Sequence, residues 1–178
     1  KTITMTPIGS TAANVDRYPE GEGLRMFVAS YATMGANAPT MQVTYTNSAG
    51  TAGKTTQAGI VSTASATSGI LLNSGNAANK VGPFLNLAAG DTGVKDIQTL
   101  TWGGTAHASG SVFIGLCKPL CMPIPVPATG LYNMVDFVNT LPSMPRLRNG
   151  ANVQFLIFAT GATTSGATFY TNFDYGWN

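Results

Sequence analysis

Groups able to do acid–base, nucleophilic or metal chemistry are few in this chain: one histidine, two cysteines and seven acids among 178 residues. Nucleophilic catalysis needs a base beside the nucleophile and an orienting group behind that base. His107 is the sole imidazole. It lies in Gly104-Thr105-Ala106-His107-Ala108-Ser109-Gly110, which reads as a solvated loop tip. No G-x-S-x-G elbow accompanies it. A paired-carboxylate hydrolase needs two acids about 5–9 Å apart. The acids here are Asp16, Glu20, Glu22, Asp91, Asp96, Asp136 and Asp174, dispersed along the chain. Glu20 and Glu22 sit in a glycine-rich surface turn, and Asp174 reads as a structural ion-pair partner for Arg146 or Arg148.

Asp91 falls in Gly90-Asp91-Thr92-Gly93, where a short acid is expected to fix its own turn. Its Asp-Thr-Gly triplet echoes the aspartic-protease signature, but no second Asp occurs in a like setting. Cys117 and Cys121 flank a turn at Pro119. A zinc site needs about four ligands, so the pair is expected to be two small, buried or half-buried thiols. Phosphate-loop and dinucleotide fingerprints are missing from the sequence. The reading is of a protein that is not an enzyme and uses no cofactor and no metal.

Aromatic residues offer a second kind of chemistry. Phe169, Phe173, Tyr175 and Trp177 alternate onto one strand face. Sugars stack on such rings, so Trp102, Tyr175 and Trp177 are candidate glycan-stacking residues, with Tyr18, Tyr31 and Tyr45 as further rings. The competing expectation is that the rings fill a core or a subunit interface.

The elements that must position these groups repeat with period two, the strand period. Leu24, Met26 and Val28 alternate with Arg25, Phe27 and Ala29; Met41, Val43 and Tyr45 alternate with Gln42, Thr44 and Thr46; Val112, Ile114 and Leu116 form a third set. Val153-Gln154-Phe155-Leu156-Ile157-Phe158 is apolar on both faces and predicts a central strand. Turn signals separate the runs, at Asn47 to Gly50, Ala89 to Gly93, Trp102 to Gly104 and Arg148 to Gly150. The Ala-, Ser-, Thr- and Gly-rich stretch Thr51 to Asn79 is expected to hold one or two short strands, near Gln57 to Val61 and Ile70 to Leu72, or else to be a long surface excursion. Leu131, Val135 and Val138 keep helical spacing and Pro142 stops it, which predicts one short helix around 131–140, with an all-extended segment as the alternative. The resulting expectation is an all-β, single-domain antiparallel β-sandwich, jelly-roll-like. An extended N-terminal segment (1–22) precedes the sandwich domain (23–178).

Composition narrows function further. Charged residues make up 9% of the chain and the formal net charge is +2. Nine dispersed cations form no run able to neutralise several phosphates, which argues against nucleic acid as a partner. No stretch approaches the roughly 20 apolar residues of a membrane-spanning helix, no signal-peptide pattern is read at the start, and no membrane role is expected. The proline-rich arm carrying Pro119, Pro123, Pro125 and Pro127 cannot be a central strand. It is expected, with Tyr132 and Phe137, to contact a neighbour, as is the polar segment Lys1 to Asn14.

Four segments carry a resemblance. Val43-Thr44-Tyr45-Thr46-Asn47-Ser48-Ala49-Gly50-Thr51-Ala52-Gly53 and Gly82-Pro83-Phe84-Leu85-Asn86-Leu87-Ala88-Ala89-Gly90-Asp91-Thr92-Gly93-Val94 resemble a group of structural proteins of tailed bacteriophages. Leu141-Pro142-Ser143-Met144-Pro145-Arg146-Leu147-Arg148-Asn149-Gly150-Ala151 and the closing strand to Trp177 are similar to the same group. The resemblance implies a virion component on the capsid surface, of decoration or cement type. Its expected partners are the major capsid protein and copies of itself, as a homotrimer. The alternative function is a carbohydrate-binding β-sandwich at a fibre or receptor-binding tip.

Overall fold

The computed structural model describes residues 2–4, 18–37, 39–57, 60–61, 83–105, 108–120, 151–154 and 156. Seven strands occur in these residues: β1 (Thr2–Thr4), β2 (Arg25–Ala32), β3 (Thr40–Asn47), β4 (Lys54–Thr55), β5 (Ile60–Val61), β6 (Val94–Gly103) and β7 (Ser111–Cys117). The described region is all-β, its strand pairings are antiparallel, and it contains no helix. The helix expected around 131–140 lies outside the described residues, as does the strand expected near Ile70.

Alternation in the sequence becomes alternation in burial. In β2, Met26 and Val28 are buried while Arg25 and Phe27 are half-buried; in β3, Met41, Val43 and Tyr45 are buried between half-buried Gln42, Thr44 and Thr46. A pleated strand sends neighbours to opposite faces, so each run packs one face and leaves the other at the surface.

One sheet has five strands in the order β1-β6-β3-β4, with β5 also on β3. β4 pairs with the far end of β3, through Thr44↔Thr55 and Tyr45↔Lys54. β5 pairs with its start, through Thr40↔Val61 and Met41↔Ile60. Between them Thr56 continues the ladder. Its amide donates to the Val43 carbonyl at 2.9 Å, and its buried hydroxyl accepts the Val43 amide at 3.0 Å. The second sheet is the pair β2-β7, in register from Arg25↔Cys117 to Ala32↔Ser111, with an irregularity between Ser30 and Ala32.

A single buried cluster contains residues of both sheets: Met26 and Val28 from β2, Met41, Val43 and Tyr45 from β3, and Val94, Ile97, Leu100 and Trp102 from β6. Val112, Ile114 and Leu116 of β7 pack against it. Burying side chains of this size stabilises by about 1.5–3 kcal/mol each. The segments that lead into β2 and β6 also meet at a corner. Glu22 bridges Gly93, the Val94 amide donates to the Gly21 carbonyl at 3.0 Å, and the Gly23 amide to the Thr92 carbonyl at 3.2 Å.

One expectation is corrected. Residues 151–154 and 156 form no strand, and burial there is partial: Val153 and Leu156 are half-buried while Asn152 and Gln154 are exposed. A central strand would have both faces covered; this stretch has apolar composition without that environment. Within the segment expected to be extended over 1–22, Thr2–Thr4 is a sheet strand, antiparallel to Thr99–Thr101.

Candidate functional site

Among the described residues, a dense polar arrangement forms where the turn before β6 meets the end of β3. Tyr45 is an inward position of β3 and is fully buried. Its hydroxyl emerges at the cluster edge, donates to Asp91 Oδ2 at 2.6 Å and accepts the Ala88 amide at 2.8 Å. Asn47, two residues on and also buried, donates its Nδ2 to Asp91 Oδ1 at 2.8 Å. Its Oδ1 accepts the Thr51 amide at 2.8 Å, and Gly50, in the left-handed region at φ 83°, lets its own amide close the turn onto the Asn47 carbonyl. Every side-chain polar group of Tyr45 and Asn47 nearest this corner therefore has a partner, as burial requires.

Around this centre the turn is stitched on its outer side. The Thr92 hydroxyl donates to Glu22 Oε2 at 2.9 Å and lies 3.0 Å from the Ser48 hydroxyl. The Ser48 amide donates to the Gly93 carbonyl at 3.1 Å. An open hollow of about 490 Å³ lies beside the network, with Arg25, Gln57, Asn86 and Asp91 as its polar lining and Phe84, Leu85 and Leu87 as its apolar lining.

The titrations at this corner move apart. Burial, then the hydrogen bond to Asp91, pushes the Tyr45 phenol up to about 12, against a partial offset from the Ala88 amide. The hydrogen bonds from Tyr45 and then Asn47 hold the Asp91 carboxyl below its ordinary value, and the Lys54 charge acts in the same direction. At neutral pH the phenol keeps its proton and the carboxylate stays charged. Neither group is poised near neutrality, where general acid–base catalysis works best. What the arrangement does is clamp the 88–93 turn to β3.

Asp91 thus differs from its expected role. The turn is closed by backbone, Asp91 amide to Ala88 carbonyl at 3.0 Å, while the carboxylate is given to residues of β3. Nothing local signals this, because Tyr45 is 46 positions away in sequence. The role of Thr56 is equally silent in the sequence.

The other expected sites fare differently. Trp102 is in the buried cluster and only 8% exposed. A ring so placed presents no face to a sugar, which corrects its assignment as a stacking platform. Tyr45 is lost to that reading for the same reason. Tyr175 and Trp177, the remaining stacking candidates, lie outside the described residues. Pro119 is exposed just after β7; Pro123, Pro125, Pro127, Tyr132 and Phe137 lie outside the described residues, with His107 and Cys121. Cys117 is a half-buried free thiol whose burial pushes its pKa up to about 11. Tyr18 packs under Lys118, whose Nζ is 5.4 Å from the ring centroid, a cation–π contact joining the approach to β2 with the end of β7. Among the described residues no group of three or more His, Cys, Asp or Glu is placed to hold a metal, and no helix is long and apolar enough to cross a membrane.

No family model matches this chain, and no curated protein and no solved structure matches it.

Proposed function

We propose that this chain is a non-enzymatic structural protein of a bacteriophage virion, a capsid decoration or cement protein that packs on the major capsid lattice and stabilises it. Its copies associate as a homotrimer, and its fold is completed as a jelly-roll-like β-sandwich around the buried cluster that both sheets share. The virion part of this reading is supported by the likeness of the segments at 43–53, 82–94 and 141–151 to tailed-phage structural proteins.

The observation that carries the reading is the outer face of the five-stranded sheet. The pairing places Thr4, Thr99, Thr44 and Thr55 in one row across four strands. The next row holds Thr2, Thr101 and Gln42. Threonine is stiff at χ1 and suits a pleated surface, so these rows are rigid, polar and uncharged. Such a face lets identical copies crowd without like-charge repulsion. The test is location: the protein is expected in purified particles at fixed stoichiometry, with density at repeating capsid positions in a particle map. Its absence from purified particles would sink the proposal.

A further inference from the structure

We infer that the β6 edge at Thr99–Thr101 is a strand-acceptor site for Thr2–Thr4 of a second copy of this chain. This deepens the self-association in the proposed function, yet it is tested on the purified protein alone. In the single chain the edge is filled by its own β1. That strand is three residues long against ten in β6, and it pairs only with Thr99, Leu100 and Thr101. All three β1 residues are exposed and none belongs to the buried cluster. Releasing β1 therefore gives up a short main-chain ladder and little apolar burial.

The edge nonetheless reads its occupant. The Thr2 hydroxyl lies 3.2 Å from the Thr101 hydroxyl. Thr4 stands opposite Thr99 on the same outer row. Ile3 points the other way, opposite buried Leu100, and remains 38% exposed at the sheet margin. This is strand addition, in which backbone hydrogen bonds supply affinity and alternate side chains supply specificity. A Thr-Ile-Thr strand from another copy makes the same ladder in the same register, with the same threonine pairs and Ile3 opposite Leu100. Residues 5–17 separate Thr4 from Tyr18, and extended chain reaches about 3.3–3.6 Å per residue. That span is on the order of 40 Å, comparable with the width of a domain this size. Exchange of an identical element is a low-cost route to closed oligomers. The copy-to-copy balance is then set by effective concentration, which is high wherever many copies are held on one lattice.

The decisive measurement is the mass of the purified protein by light scattering over a concentration series, with Ile3→Pro beside the parent. Proline has no amide to donate, is disfavoured within a paired strand, and replaces the Ile3 side chain that stands opposite Leu100. The parent is expected to rise at least twofold above the 18.4 kDa of one chain, and Ile3→Pro to stay at one chain with an unchanged far-UV spectrum. A second experiment co-refolds Thr2→Cys and Thr101→Cys proteins under mild oxidation, with the double variant as the in-chain control. A mixed-chain 2–101 disulfide is expected. A parent that stays at one chain throughout, an oligomer unaffected by Ile3→Pro, or disulfide formed only within the double variant overturns the inference. Any of these results leaves the particle-location test standing.

Discussion

Tyr45 makes the described half of this protein dependent on one hydroxyl. Its ring belongs to the buried cluster, and its oxygen holds the turn that launches β6. Tyr45→Phe keeps the ring and strands the Ala88 amide and an Asp91 oxygen. Loss of such a bond costs about 1–2 kcal/mol, read as a lower midpoint in chemical denaturation with an unchanged slope. The pH dependence follows from the two directions of shift. The Asp91 carboxyl is held below its ordinary 3.8, so its contribution is present above that value and is lost as pH falls through the lowered folded value. Asp91→Asn is expected to flatten the acid limb of the stability curve. The Tyr45 phenol is raised from 10.0 to about 12, so its contribution is complete below 10 and is lost as pH rises through about 12. Tyr45→Phe is expected to flatten that alkaline limb. Parallel acid limbs in parent and Asp91→Asn would refute the clamp.

Among the elements, the crossing of the β2 and β6 approaches is the tightest joint. A Cβ on Gly93 would overlap the Gly21 carbonyl oxygen, backbone against backbone, with no rotamer able to relieve it. Gly50 faces open space and asks only for the left-handed region. Gly93→Ala is therefore expected to cost several kcal/mol or abolish folding, whereas Gly50→Ala costs about 1–2 kcal/mol. Equal melting temperatures for the two variants would rule out this close crossing. The contrast also shows which parts of the fold were legible in the sequence. The inward sets of β2, β3 and β7 could be read from period two, because alternation is a local consequence of the pleat. The turn at Asn47 to Gly50 could be read from its residue types. The crossing, the Thr56 hydroxyl in the ladder and the Asp91 clamp could not, since each joins residues whose partners are set by tertiary packing. Val153 and Leu156 misled for the converse reason: an apolar run states a preference for burial, and both are only half-buried. Trp102 was ambiguous in the sequence between core and platform, and the pairing Met41↔Trp102 on the inner face of the sheet decided for the core.

For the molecule as a whole, the sparse charge makes a claim about how it associates. Charged residues are 9% of the chain and the net charge is +2. Two outer rows of the five-stranded sheet, Thr4-Thr99-Thr44-Thr55 and Thr2-Thr101-Gln42, carry no charge, and the next row pairs Thr46 with Asp96. Contacts through such a face depend on backbone and hydroxyl hydrogen bonds and on close packing, none of which an ionic atmosphere screens strongly. Raising salt from about 0.1 M to about 1 M shortens the Debye length from about 10 Å to about 3 Å. An association steered and held by surface charge weakens steeply over that range. Under the proposed capsid role, the affinity of the protein for the particle, and of its copies for one another, is expected to change by no more than about a factor of two, equivalent to about 0.4 kcal/mol. Sedimentation of particles with bound protein at the two salt concentrations measures the first affinity, and light scattering of the free protein the second. A tenfold loss at high salt would show that the few charges, not the neutral threonine face, carry the contact. It would redirect the search for the contact surface to the lysines and arginines.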